Sequence, residues 1–295
     1  MNSFQEKLYE HHSQVFTVDN VLHQSHTGLQ NVLVFENRLF GRVMVLDGIV
    51  QLTERDNHIY HEMIAHVPLM AHGQAKRVLI IGGGDGGTLK EVLKHPVEEV
   101  ILVEIDSEVI ELVNRFFPAL SGRSFEDRRA RIIVGNGLEY VATTDKTFDV
   151  IIIDSTDPIG PGEQLFTASF YARCRTLLRR GGTIALQSGA PFYQPQQLDG
   201  VCARIASCFN AVRPFLAPVP SYAAGMLALV AAGDNHKALR PTMKILRERH
   251  QRLRSDTIYY TPEVHRAAFT LPPRFARPGA GKMGGPVYPE PTCHV

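Results

Sequence analysis

Cysteine is scarce: four in 295 residues, Cys174, Cys202, Cys208 and Cys293, with no C-x-x-C pair and no ligand spacing to histidine. That excludes a disulfide framework and a zinc-finger type of site, and the four read as reduced, mostly buried thiols. Charge excess is missing too. With 31 Lys and Arg against 30 Asp and Glu the formal net charge is +1, so no basic field exists to draw in nucleic acid or an anionic membrane. No apolar run approaches the roughly twenty residues that cross a bilayer. The opening MNSFQEKLYEHHSQ has no basic stretch followed by an apolar one. The expectation is a cytoplasmic protein with no nucleic-acid or membrane partner. At 44% hydrophobic content the chain can bury a sizeable core, and its length suits one large domain with a small one attached or two modest domains. Function must reside in local sites.

Between Val15 and Thr53 the runs VFTVDNVLH, NVLVFENR and RVMVLDGIVQLT are separated by the turn-forming TGLQ, NRLFG and DG, which predicts a small antiparallel β domain over residues 1–65. DNHIYHEMIAHVPLMAHG then has helical spacing, with Pro68 expected to interrupt it and Gly73 to stop it. From Arg77 strands and helices alternate: RVLIIGG, GTLKEVLKH, EVILVEID, SEVIELVNRFF, ARIIVGNG, LEYVATT, FDVIIIDST, SFYARCRTLLRR and GTIALQSG. Runs such as DVIIID are apolar throughout, as strands covered on both faces require. The pattern predicts an α/β fold with a doubly wound, Rossmann-like sheet over residues 66–272, closed by one more helix and the strands AVRPFLAPVP and GMLALVAAG. The charge runs LRRGG and LRERHQRLR read as solvated helix faces and caps, and Tyr259-Tyr260 as strand packing. The Pro/Gly-rich stretch 273–295 is expected to be poorly ordered.

Gly82, Gly84 and Gly87 satisfy G-x-G-x-x-G between a strand and a helix, and Glu104 ends the next strand. NAD enzymes share this arrangement with folds that bind S-adenosyl sulfonium compounds. Asp85 separates the two, because an ionised carboxylate beside a pyrophosphate is a like-charge contact. A cationic S-adenosyl ligand reverses the sign. Asp154 and Asp157 follow the fourth strand of the main domain, so four acids should converge at the carboxyl edge of the sheet.

LDGIVQLTERDNHIYHEM, VLIIGGGDGG, VEID, DSTDPIGPGE and YYTPEVHRAAFTLP, in that order, resemble the polyamine aminopropyltransferases, the spermidine synthase family. The resemblance spans about Phe16 to Pro272. It implies a small N-terminal β domain on a catalytic domain of the S-adenosylmethionine-methyltransferase-like kind, no metal, no cofactor, and a homodimer or homotetramer. The implied substrates are decarboxylated S-adenosylmethionine, consumed as a co-substrate, and a diamine, putrescine. By motif, Asp154 is the implied proton acceptor. Tyr60, His61, Asp85, Asp154, Ser155, Thr156, Asp157 and Tyr222 are the implied amine contacts. Gln30, Gly82, Gly84, Asp85, Glu104, Asn136, Gly137 and Pro161 are the implied donor contacts.

Asn136 stands where the family has an acid facing the adenine amino group, leaving a neutral acceptor. Asn57 and QSGAPFY are also departures. Transfer to cadaverine, agmatine or spermidine stays open. So does a methyltransferase, which Asp85 disfavours by facing the carboxylate of an ordinary donor, and a non-catalytic paralogue.

Overall fold

The computed structural model describes residues 2–9, 11–156 and 160–276. The chain opens with a two-stranded hairpin, β1 (Ser3–Tyr9) and β2 (His12–Thr17), followed by a four-stranded antiparallel sheet of β3 (Asn20–His26), β4 (Asn31–Asn37), β5 (Gly41–Leu46) and β6 (Ile49–Thr53). The sequence reading began its strands at Val15 and missed β1. The reason lies in its pattern: Phe4, Glu6 and Leu8 point inward in alternation, and the central member of that set is an acid.

Helix α1 (Asn57–His72) runs through Pro68 without a break. Residues 60–71 are all buried, and packing on every side holds the helix where the missing N–H would otherwise interrupt it. Gly73 ends it in the left-handed conformation, φ 82°, as expected. The main domain follows as β7 (Arg77–Gly82), α2 (Gly87–Leu93), β8 (Glu99–Glu104), α3 (Ser107–Phe116), α4 (Pro118–Ser121), β9 (Ala130–Val134), α5 (Gly137–Thr143), β10 (Phe148–Asp154), α6 (Ala168–Leu177), β11 (Leu178–Gln187), α7 (Pro195–Ala206), β12 (Ala211–Ala217) and β13 (Leu227–Gly233). Helices α8 (Met243–His250), α9 (Pro262–Ala268) and α10 (Pro273–Ala276) complete the described chain.

The seven-stranded sheet has the order β12-β13-β11-β10-β7-β8-β9, parallel from β11 to β9, with β13 antiparallel to both its neighbours. Period-two alternation sorts its apolar runs into two layers. Val78, Ile80, Leu102 and Ile152 join the core against α1 and α2, and Leu79, Ile81, Val103 and Ile153 the core against α6 and α7. The small sheet lays Val32, Val34, Met44 and Leu46 on Val109, Leu112, Val113 of α3 and on Phe117 and Leu120. Its other face meets Phe4 and Phe16 of the hairpin. This docking sets the N-terminal strands over the carboxyl edge of the large sheet.

Two details depart from expectation. The stretch LRRGG opens β11 instead of ending a helix. Tyr259 and Tyr260 lie in the loop before α9, outside any strand. Residues 277–295, most of the expected tail, fall outside the described residues. No helix among the described residues is long and apolar enough to cross a membrane.

Candidate active site

Parallel strands end at one edge, and four of the five here end in a polar residue or a glycine: β7 at Gly82, β8 at Glu104, β10 at Asp154 and β11 at Gln187. Asp154 pairs directly with Gly82 across the ladder. Gly82 and Gly83 take φ of 81° and 69°, which other residues rarely adopt. A side chain at Gly82 would also run into the Asp154 carbonyl. The glycines therefore let the loop fold against β10. A cleft of about 370 Å³ opens above this edge, roofed by the hairpin and the small sheet.

Both oxygens of the Asp154 carboxylate are held by hydroxyl donors. Oδ1 accepts from the Tyr60 hydroxyl of α1 at 2.6 Å, and Oδ2 accepts from the Thr88 hydroxyl of α2 at 2.6 Å. Burial and the adjacent Asp85 charge raise its pKa, against the lowering influence of His61 and the two hydroxyls. Burial and Asp154 likewise hold the Tyr60 phenol well above its ordinary range. Tyr60 is therefore a fixed donor and Asp154 a carboxylate with an enhanced affinity for a proton.

Asp85 accepts from Gly87 N–H at 2.7 Å and faces His61 Nε2 at 3.0 Å. Burial opposes charge on both groups, but their mutual attraction outweighs it: the pKa of Asp85 is lowered and that of His61 raised. His61 lies behind the cleft wall and does not line it. One ligand atom from each of His61, Asp85 and Asp154 lies within 4.8 Å of the others, a spacing that suits an ammonium group or a divalent cation.

Glu104 is buried with both oxygens held by backbone, Oε2 by Gly84 N–H at 2.9 Å and Oε1 by Asp106 N–H at 3.0 Å. Burial nevertheless pushes its carboxyl up to about 7. A methyl group added at Gly84 would come within 2.7 Å of Glu104 Cγ, so this glycine is required by close approach.

Residues 57–241 match the family described as "Spermine/spermidine synthase domain", and residues 4–54 match "Spermidine synthase tetramerisation domain". The chain belongs to the polyamine aminopropyltransferase family. Polyamine aminopropyltransferase 1 of Pseudomonas aeruginosa is 46% identical over 274 residues, 92% of this chain and 96% of that protein. Polyamine aminopropyltransferase of Klebsiella pneumoniae is 44% identical over 268 residues, covering 90% and 94%. A spermidine synthase solved in complex with the transition state analogue AdoDATO superposes with a TM-score of 0.87 at 38% identity, over 93% of this chain and 94% of that one. Spermidine synthase from Thermotoga maritima gives 0.84 at 36%, over the same shares. This chain is a transferase of that type, on a methyltransferase-like fold.

In this aminopropyltransferase the cleft wall includes Tyr60, Gly82, Gly84, Asp85, Glu104, Asn136, Gly137, Asp154, Ser155, Thr156, Tyr222 and Gln30. Gln30 is tied down by Nε2 donating to Asp106 Oδ2 at 2.8 Å. The Tyr222 hydroxyl donates to the Gln51 carbonyl at 2.7 Å. Asn136 caps α5, its Oδ1 accepting from Leu138 N–H at 2.9 Å, so the oxygen expected to meet adenine already holds one donor. Asp157 lies outside the described residues, and Pro161 falls in the short helix Gly160–Phe166.

Sequence reasoning missed Thr88 and Asp106. The first signal was a hydroxyl one residue past the glycine loop, at the start of a helix facing the strand ends. The second was the acid two positions beyond Glu104, which caps α3, accepts from Thr27 at 2.6 Å and holds Gln30. Glu6, from the unpredicted β1, also lines the cleft.

Proposed function

We propose that this enzyme moves the aminopropyl group of decarboxylated S-adenosylmethionine onto putrescine, giving spermidine and methylthioadenosine, with Asp154 as proton acceptor. The observation that carries this reading is the Asp154 carboxylate, half-buried beside Asp85, raised in proton affinity and aimed by two hydroxyl donors. Glu104 accepts the ribose hydroxyls of the donor. Gly82, Gly84 and Gly137 allow close backbone approach, and Gln30, Asn136 and Pro161 meet the nucleoside. Asp85, supported by His61, takes the aminopropyl ammonium. Tyr60, Tyr222 and the stretch Ser155, Thr156, Asp157 hold the entering amine.

The chemical difficulty is the nucleophile. An alkylamine resembles lysine, with a pKa near 10.4, so at neutral pH only about one molecule in a thousand has a free lone pair. Asp154 takes one proton from the ammonium as it approaches. The nitrogen lone pair then attacks the methylene beside the sulfonium, a C–N bond forms, and the C–S electron pair leaves on sulfur. Methylthioadenosine departs as a neutral thioether that needs no acid, the new secondary amine stays protonated, and the proton on Asp154 passes to solvent. This route calls on neither a metal nor a cofactor.

The test is to incubate the purified protein with decarboxylated S-adenosylmethionine and putrescine, cadaverine, agmatine or spermidine in turn, and to identify products by mass spectrometry. Spermidine from putrescine as the fastest product supports the reading. Faster turnover with another amine would replace putrescine as acceptor. The enzyme also assembles as a homodimer or homotetramer through its N-terminal segment: Val15, Val21 and Leu39, all within residues 4–54, are apolar and exposed. Light scattering that gives a monomer would remove this second reading.

A further inference from the structure

Glu62 is wholly buried on α1, two positions after Tyr60 and about 200° further round the helix. It does not line the cleft. A buried carboxylate is costly unless its oxygens are satisfied, so its partners carry information. They are three consecutive backbone N–H groups. Oε1 accepts from Ile258 at 2.7 Å, and Oε2 accepts from Tyr259 at 2.8 Å and Tyr260 at 2.6 Å. Successive N–H groups converging on one anion form a nest, here filled by a side chain of the same protein.

The same stretch of chain grips α2. Lys94, just past the end of that helix, donates from Nζ to the Asp256 carbonyl at 2.8 Å, and its carbonyl accepts from Arg254 N–H at 2.9 Å. Arg249 of α8 donates to the Met70 and Ala71 carbonyls at the end of α1. Between the two helices His66 Nε2 and Glu91 Oε2 lie 3.0 Å apart, and the Tyr260 ring packs 5.0 Å from His66. Helix α1 supplies the Tyr60 hydroxyl to one oxygen of Asp154, and α2 supplies the Thr88 hydroxyl to the other. One C-terminal segment, beyond residue 241 where the synthase-domain match ends, therefore holds both helices that aim one carboxylate.

We propose that Glu62 is a positioning residue for aminopropyl transfer: by anchoring α1 on the 258–260 loop, it sets the Tyr60 hydroxyl against Asp154. The inference rests on Asp154 being the proton acceptor. A small slip of α1 relative to α2 separates the two hydroxyl donors and turns the carboxylate away from the amine, and misplacement of this kind is costly in turnover. Glu62→Gln keeps the size of the side chain. Its amide oxygen still accepts, but its NH2 faces a backbone N–H, donor against donor.

The test is a double-mutant cycle on kcat with saturating decarboxylated S-adenosylmethionine and putrescine, with folding checked by circular dichroism. Glu62→Gln should lower kcat about tenfold while the KM for the donor stays within about twofold. In a Tyr60→Phe background the same change should cost less than about twofold, because its route runs through the Tyr60 hydroxyl. Glu62→Asp, a charged group on a shorter arm, should fall between, and it carries the cycle if the glutamine variant does not fold. Equal losses in both backgrounds, or an unchanged kcat, overturn the role of Glu62 alone. Failure of the base assignment has a different signature: Asp154→Asn and Tyr60→Phe then both turn over like the parent enzyme, and the role of Glu62 falls with it.

Discussion

Protonating Glu104 should weaken nucleoside binding, and the size of the effect follows from where the group sits. Its carboxyl is buried, and burial raises it to about 7 in spite of the backbone N–H groups of Gly84 and Asp106. As a carboxylate it can accept ribose hydroxyls; as an acid it holds a proton that competes with them. With a pKa near 7, about nine-tenths of the enzyme is ionised at pH 8 and about one-tenth at pH 6, a ratio of about ten. The affinity for methylthioadenosine should fall by up to about tenfold over that interval. This ligand is the right probe because it is uncharged there and lacks the aminopropyl arm that would meet Asp85 and His61. The sign for stability is opposite. The folded state binds this proton more tightly than the unfolded chain, so stability is lost as pH rises from 4.5 through about 7, by about 3 kcal/mol from this group. Bound nucleoside should restore part of it. Isothermal titration at pH 6, 7 and 8 reads the affinity, and repeating it in buffers of different ionisation enthalpy reads the proton released. Glu104→Gln should bind weakly at every pH. An affinity of the parent enzyme that is the same at pH 6 and pH 8 would refute the reasoning.

Other substitutions probe the neighbouring contacts. Thr88→Val removes one of the two hydroxyls that stabilise ionised Asp154, a bond to a charged group worth about 1.5–3 kcal/mol. The acid limb of the kcat profile, recorded at saturating donor, should move to higher pH, and an unmoved limb would contradict the bond's role. Gly84→Ala should leave the fold intact but displace Glu104 and weaken methylthioadenosine binding at least about tenfold, read by the same titration. Gly82→Ala, at φ 81° and against the Asp154 carbonyl, should instead lower the melting temperature, through strain of about 1–3 kcal/mol plus the clash.

Much of this was legible in the sequence because the signals were local and regular. The apolar runs of β7, β8 and β10 are buried on both faces as their composition required, and the acids at their ends converge because parallel strands end at one edge. Asp85 illustrates a partial reading. Its charge argued for a cationic ligand, and the structure adds that His61 already answers that charge from behind. What stayed illegible depended on contacts distant in sequence. Pro68 looked like a break because nothing local shows that α1 is packed on all sides. Strand β1 was hidden by Glu6, an acid on its inward face. Thr88 and Tyr60, 66 and 94 positions from Asp154, meet on it only once α1 and α2 are docked.

The central claim is that Asp154 accepts the proton that frees the attacking amine. The most direct measurement compares the parent enzyme with Asp154→Asn, using decarboxylated S-adenosylmethionine and putrescine and following spermidine and methylthioadenosine together. The account predicts the two products in equal amounts from the parent enzyme. For the variant it predicts a kcat about 10²–10⁴-fold lower with methylthioadenosine affinity retained. A variant that turns over within a few-fold of the parent would contradict it.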